Sequence, residues 1–200
     1  MPVLPSLVSA FGTIIVSILA IWGGLIRAWL TGPKFSVATQ PVVGGTAIRL
    51  SGGKMAIYVL LVVTNRRPYA AASKCRIDVI RLQKSSGGGT FEDEYLAFPI
   101  TLYWSPSEDK SERMIHSTAI ADLVRVEQGG ASTILQAKNP PNDFSCNACC
   151  SQSVKYTVQV FAENALPSPT FTFEIAWDGN WDNDVVVMRR QHLIVSSSPA

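Results

Sequence analysis

From Ser6 to Ile26 the chain carries one uncharged run, SLVSAFGTIIVSILAIWGGLI, and beyond Pro33 its hydrophobic positions recur every second residue. The two patterns predict two different structures. A run of this length, rising 1.5 Å per residue as a helix, is long enough to cross about 30 Å of hydrocarbon. Trp22 and Trp29 lie towards its C-terminal end, where indole rings favour the headgroup level. Thr31-Gly32-Pro33 ends the helix, because proline cannot extend the hydrogen-bond ladder and disfavours helix before it. A helix buried in a soluble core would have polar flanks rather than Pro5 and this break. A cleavable signal peptide would start with Lys or Arg and end in a small-x-small site, and neither is present. Residues 1–33 are therefore expected to be a retained transmembrane anchor.

The remainder, 34–195, reads as strands. Met55, Ile57, Val59, Leu61 and Val63 alternate on one face while Tyr58, Leu60 and Val62 keep the other apolar, the signature of a central strand covered on both sides. Lys74 to Val79 alternates with Cys75, Ile77 and Val79 inward. Val154 to Ala162 and Phe171 to Trp177 repeat the pattern. Weaker candidates are Lys34 to Ala38, Thr46 to Leu50, Ile100 to Trp104, Ala119 to Glu127 and Asp184 to Met188. Short strands separated by Gly, Pro, Ser and Asn clusters, with no amphipathic helix competing, predict an all-β antiparallel sandwich. Turn or flexible segments are expected at 85–89 and 138–142, and a disordered tail at 196–200.

Composition refines this picture in one respect, the direction of the anchor. Arg27 is the first charged residue, and within residues 35–200 basic and acidic side chains balance at fifteen each. That balance does not point to nucleic acid as a partner. Before the span there is only the α-amino group, and after it come Arg27, Lys34, Arg49 and Lys54. Positive-inside bias then places the domain on the cytoplasmic side. The absence of any Asn-x-Ser/Thr sequon fits that compartment. A basic patch around Arg66, Arg67, Lys74, Arg76, Arg81 and Lys84 reads first as a solvated strand face.

Candidate chemistry is sparse. Ser9, Thr13, Ser17, Ala20 and Gly24 form one small or weakly polar stripe on the anchor, along which a second copy could approach; small residues are also simply common in membrane spans. Cys146, Cys149 and Cys150 form C-x-x-C-C. They read first as thiols or a local disulfide without function, with a redox pair or a zinc site as alternatives; zinc would need a further ligand from Cys75, His116 or His192. Asp178, Asn180, Asp182 and Asp184 set oxygen ligands at alternate positions like the opening of a calcium loop. Asn183 stands where that loop has Gly and Arg189 where it has Glu, so a packed turn is the simpler reading. Glu92, Asp93 and Glu94 read as a solvated acidic turn. No phosphate-cradling motif or nucleophile–base pairing is recognisable, and no cofactor is expected.

The wording of the strands adds a resemblance. Tyr58 to Asn65 (YVLLVVTN), Arg67-Pro68 and Ala70 to Cys75 resemble a stretch of immunoglobulin-like sandwich modules. Pro99 to Pro106, Asp122 to Val126, Phe161 to Asn164 and Trp177 to Asp182 resemble more specifically a family of uncharacterised prokaryotic membrane-anchored immunoglobulin-like β-sandwich proteins. The helix exit of that family matches Trp29 to Pro33, and the insertion from Ser132 to Ser153 departs from it. The resemblance implies an immunoglobulin-like fold and no particular activity. The expected protein is thus a single-pass, non-enzymatic interaction or scaffold module. Its partners would be the bilayer, a protein, and possible further copies through the anchor. An extracytoplasmic envelope β-sandwich is the alternative, with a cysteine-cluster redox or metal protein behind it.

Overall fold

The computed structural model describes residues 4–41, 47–49, 53–85, 89–105, 112–138, 140 and 152–199, with the side chains at 4–11, 18–21, 25, 26, 47–49 and 199 outside the description. One helix, α1 (Leu4–Thr31), precedes two antiparallel sheets. The expected break at Gly32-Pro33 is where α1 stops. Counted over the described residues alone, no helix is long and apolar enough to cross a membrane. Many of the apolar side chains of α1 fall outside that set, so the span from Ser6 to Ile26 rests on the sequence.

The first sheet is built on β3 (Met55–Asn65), flanked on one side by β1 (Phe35–Thr39) and β2 (Ala47–Arg49). On the other side lies β9 (Thr118–Glu127), whose far edge takes β7 (Tyr103–Ser105) and β10 (Ile134–Leu135). The second sheet centres on β4 (Ala72–Ser85) and β11 (Ser153–Phe161). It continues through β12 (Phe171–Trp177) to β13 (Leu193–Pro199). The outer side of β4 receives β5 (Phe91–Glu94), β6 (Ile100–Thr101) and β8 (Arg113–Ile115). The sheets pack together as a β-sandwich-like pair around one apolar core. The two-sided reading of β3 holds: Ile57, Val59, Leu61 and Val63 are fully buried, while Tyr58, Leu60 and Val62 are half-buried on the other face.

Two bulges reset the alternation. Between Thr157 and Val158 the pairing of β11 skips from Arg81 to Val79, so Ile80 is an extra residue. The inward phase of β4 then changes from Cys75, Ile77 and Val79 to Leu82. Likewise β3 skips from Val124 to Asp122, and both Leu123 and Val124 are buried on β9. Polar bonds tie one sheet to the other. The Trp104 indole of β7 donates to the Cys75 carbonyl of β4 at 3.1 Å. Buried Arg189, from the turn before β13, donates through Nη1 to the Tyr58 carbonyl of β3 at 3.2 Å. At Leu102 the chain passes from β6 in the second sheet to β7 in the first, with its side chain fully buried.

Three expectations are corrected. Glu92, Asp93 and Glu94 are not a turn but part of β5, paired with Lys84, Gln83 and Leu82 of β4. Ser196 to Pro199 are not a tail but the end of β13, paired with Phe171 to Glu174 of β12. Their side chains bury little, yet an extended backbone needs no apolar residue to satisfy its hydrogen bonds on a neighbouring strand. Asp184 to Met188 is not a strand. The Asp184 carboxylate accepts from the backbone N–H of Val186 at 2.8 Å and caps the three-residue α2 (Val185–Val187). A π-helical turn, Met188–His192, follows. A cap outweighs the β preference of three valines here. Asp78, on the face of β4 opposite Cys75, Ile77 and Val79, is only 3 % exposed and is bonded by Arg76 Nε at 2.9 Å and the Thr101 hydroxyl at 2.8 Å.

Truncating Leu61 at the centre of β3 should cost about 2–5 kcal/mol, the range for a buried leucine changed to alanine. Arg81→Ala, at an exposed strand position, should stay within about 0.5 kcal/mol of wild type. Urea unfolding of the full chain in mild detergent measures both.

Candidate functional site at the helix exit

The side chains and clefts that cluster most closely lie where α1 meets the sandwich. The last carbonyls of a helix have no intrahelical donor and carry a partial negative charge. Arg67, from the loop after β3, supplies the donor: Nη1 bonds the carbonyls of Leu30 at 2.6 Å, Gly32 at 3.2 Å and Trp29 at 3.4 Å. Thr31 Oγ1 returns a bond to the Arg27 carbonyl, and the Gly32 N–H bonds the Ala28 carbonyl, each at 2.9 Å. A Cβ at Gly32 would collide with the Ala28 carbonyl oxygen and sit 3.2 Å from the Asn164 carbonyl oxygen. Only glycine lets the chain turn this closely.

Asn65, 3 % exposed at the end of β3, holds the loop in place. Its Oδ1 accepts from the backbone N–H of Arg67 at 3.0 Å and of Lys34 at 3.3 Å. Its Nδ2 donates to the carbonyls of Ala70 at 2.8 Å and His116 at 3.3 Å. With all its capacity used, a buried amide contributes order instead of a penalty. On the opposite side Asn164 does the same between loops, donating to the Ala71 carbonyl at 2.8 Å and accepting from the Ser73 N–H at 3.0 Å. Two clefts flank the exit. One, of about 320 Å³, lies between Trp29, Lys34, Arg66 and the Leu166–Pro169 segment. The other, of about 480 Å³, is lined by Gly24, Arg27, Thr31, Glu163 and Ala165.

The residues singled out in the sequence fare differently. On the anchor stripe, Thr13, Ser17 and Gly24 are exposed, and the Ser17 hydroxyl donates to the Thr13 carbonyl at 2.8 Å; the side chains of Ser9 and Ala20 lie outside the description. Cys146, Cys149 and Cys150, most of the loop 138–142, residues 86–88 of the glycine-rich loop and the turn from Ser107 to Lys110 also lie outside the described residues. Cys75 is buried and free, and burial pushes its thiol up to about 11, which keeps it protonated at neutral pH. His192 bonds Asp178 at 2.8 Å, whereas His116 contributes its carbonyl to Asn65. Burial opposes ionisation of Asp178, but hydrogen bonds from His192 and Asn180 outweigh it and hold the carboxyl below its usual range.

The aspartate string is spent locally. Asp178 accepts from the Asn180 N–H, Asp182 from the Asp184 N–H, and Asp184 caps α2. No group of three or more His, Cys, Asp or Glu placed to hold a metal is found among the described residues. The basic patch disperses into pairs, Lys74–Glu163, Arg76–Asp78, Arg81–Asp93 and Lys84–Glu94, with Arg67 committed to the helix. Asn65 and Arg67 emerge as the organising pair. An Asn closing an apolar strand hints at a buried polar role, but nothing local to Arg67 points to carbonyls 35 to 38 residues away.

Comparison of the chain with family models, curated proteins and solved structures finds no match. What the structure defines is a class: a mainly-β protein of two packed antiparallel sheets with a helix locked to one end.

Asn65→Ala should destabilise the fold by roughly 2–4 kcal/mol, because it strands buried backbone donors and acceptors. Arg67→Ala, at the partly exposed cap, should cost only about 1 kcal/mol, with Arg67→Lys recovering part of it. Urea midpoints of the three variants set this order.

Proposed function

We propose that the chain is a membrane-tethered, non-enzymatic interaction module, anchored in the bilayer by α1 and offering its sandwich to a protein partner on the cytoplasmic face. One observation carries the reading. Ile14, Ile15 and Val16 are 55 %, 55 % and 65 % exposed. Three successive residues span about 200° of a helix, and with Gly12, Thr13 and Ser17 also exposed, no face of this turn rests on the domain among the described residues. A Cβ at Gly12, Gly23 or Gly24 would also meet nothing. Trp22, Trp29 and Leu30 continue the exposed apolar surface to the exit. Leaving such side chains in water forfeits about 1.5–3 kcal/mol each, and lipid removes that loss.

The interaction role draws on the sheet edges. Among the described residues β13 has one partner strand, β12, and Ile194, Ser196 and Ser197 are exposed along it. An open edge accepts an added strand through its free backbone groups. Cytoplasmic placement follows the Arg27, Lys34, Arg49 and Lys54 bias, and the immunoglobulin-like kinship rests on the strand wording. Self-association along Ser9, Thr13, Ser17, Ala20 and Gly24 belongs to the same proposal, since exposed Thr13, Ser17 and Gly24 leave room for a second helix.

Alkaline carbonate washing of membranes should leave the full chain in the pellet. Val16→Lys, at the middle of the span, should release a large fraction, since a central lysine costs about 2.5–3.5 kcal/mol. Wild-type protein recovered in the wash would overturn the reading.

A further inference from the structure

We propose that the cleft between Trp29, Lys34, Arg66 and the Leu166–Pro169 segment binds the phosphate of an anionic phospholipid headgroup, an inference that rests on the anchor reading above. The two residues sit on neighbouring stretches of backbone, the Arg66 N–H bonding the Lys34 carbonyl at 2.7 Å. Both line the cleft, and among the described residues neither side chain has a carboxylate partner. Elsewhere in the domain six basic side chains, those of Lys74, Arg76, Arg81, Lys84, Arg125 and Lys155, each sit within 4 Å of a carboxylate. Lys54, Arg113 and Arg190 likewise have no carboxylate within 4 Å among the described residues, but Lys34 and Arg66 are the two basic residues that line this cleft, beside the exit of α1.

Two further features suit a phosphate there, and the second favours a headgroup over a free anion. A helix C-terminus beside the cleft would repel phosphate, but the Arg67 guanidinium covers its carbonyls and removes that repulsion. The walls are otherwise apolar: Trp29 on the last turn of α1 faces Leu166, Pro167 and Pro169, a surface suited to the glycerol and upper acyl carbons beneath a phosphate. Trp29 itself belongs at that depth. A headgroup held there would fix the tilt of the domain on the bilayer as well as its distance from it. The cytoplasmic leaflet, where the charge bias places the domain, is the anionic one.

The test uses the full chain in dodecyl maltoside, followed by thermal unfolding while dioleoylphosphatidylglycerol, dioleoylphosphatidylcholine or inorganic phosphate is titrated. Phosphatidylglycerol should raise the midpoint saturably, and the other two should not. Lys34→Gln or Arg66→Gln should weaken the apparent affinity about fivefold each, and the double variant roughly twenty-five- to thirtyfold. Lys74→Gln, away from the cleft, should behave as wild type. An equal response to phosphatidylcholine, an equal response to inorganic phosphate, or a phosphatidylglycerol response unchanged in the double variant would each overturn the proposal. Flotation with pure phosphatidylcholine vesicles separates the two levels. Wild type and double variant should both float; failure of both removes the anchor and this inference together. Flotation without a phosphatidylglycerol-specific response removes the cleft alone.

Discussion

An apolar helix whose described side chains are left exposed by the described part of the chain is the constraint on which everything else turns. The described side chains of α1 from Gly12 to Ser17 are exposed, and the described contacts with the domain lie at its last turns. Six large exposed side chains, Ile14 to Val16, Trp22, Trp29 and Leu30, represent on the order of 10 kcal/mol of unburied apolar surface. That is comparable to the whole stability of an ordinary domain. On the proposal above lipid covers this surface, and that medium sets what the other end of the helix can do. The exit needs a rigid turn, and Gly32, Arg67 and Asn65 supply it.

The junction can be rigid because the sandwich behind it is. Asn65 is the last residue of β3, the strand whose two apolar faces make it the centre of the first sheet. Arg67 follows two residues later, so the cap on α1 is tied to the most deeply packed strand in that sheet. Across the core, Trp104 and Arg189 bond carbonyls of the opposite sheet, which limits sliding of one layer over the other. The clefts at the exit therefore have fixed walls. Movement of α1 relative to the domain would have to break charge-assisted bonds as well as apolar contacts.

How far the sequence anticipates this depends on the kind of signal. Period-two alternation marks β3, β4, β11 and β12 because one face of each fills the core, and the Thr31-Gly32-Pro33 break marks the helix end because its physics is local. β13 is different. Ser196 to Ser198 lack the apolar alternation that betrays a buried strand, and their order comes from backbone pairing with β12. Val185 to Val187 read as strand by propensity, and only the Asp184 cap and the burial of Met188 reverse it. The bulges at Ile80 and Leu123 shift the inward phase by one residue, which no fixed period predicts. The site was least legible: Asn65 and Arg67 act on Lys34, Trp29 and Leu30, and a contact across more than thirty residues leaves no mark on its neighbours. The C-x-x-C-C cluster, the densest chemical pattern in the sequence, lies outside the described residues, and the bonds that organise the junction come from an amide and a guanidinium.

The central claim is that lipid, and no surface of this chain, covers α1. Spin labels report it directly when placed one at a time by Ile14→Cys, Ile15→Cys and Val16→Cys in full-length protein with its native cysteines replaced, reconstituted in bilayers. The account predicts that all three positions collide freely with dissolved oxygen and are shielded from a water-soluble nickel chelate. Nickel access at these positions, or one buried face recurring with helical period against the domain, would contradict it.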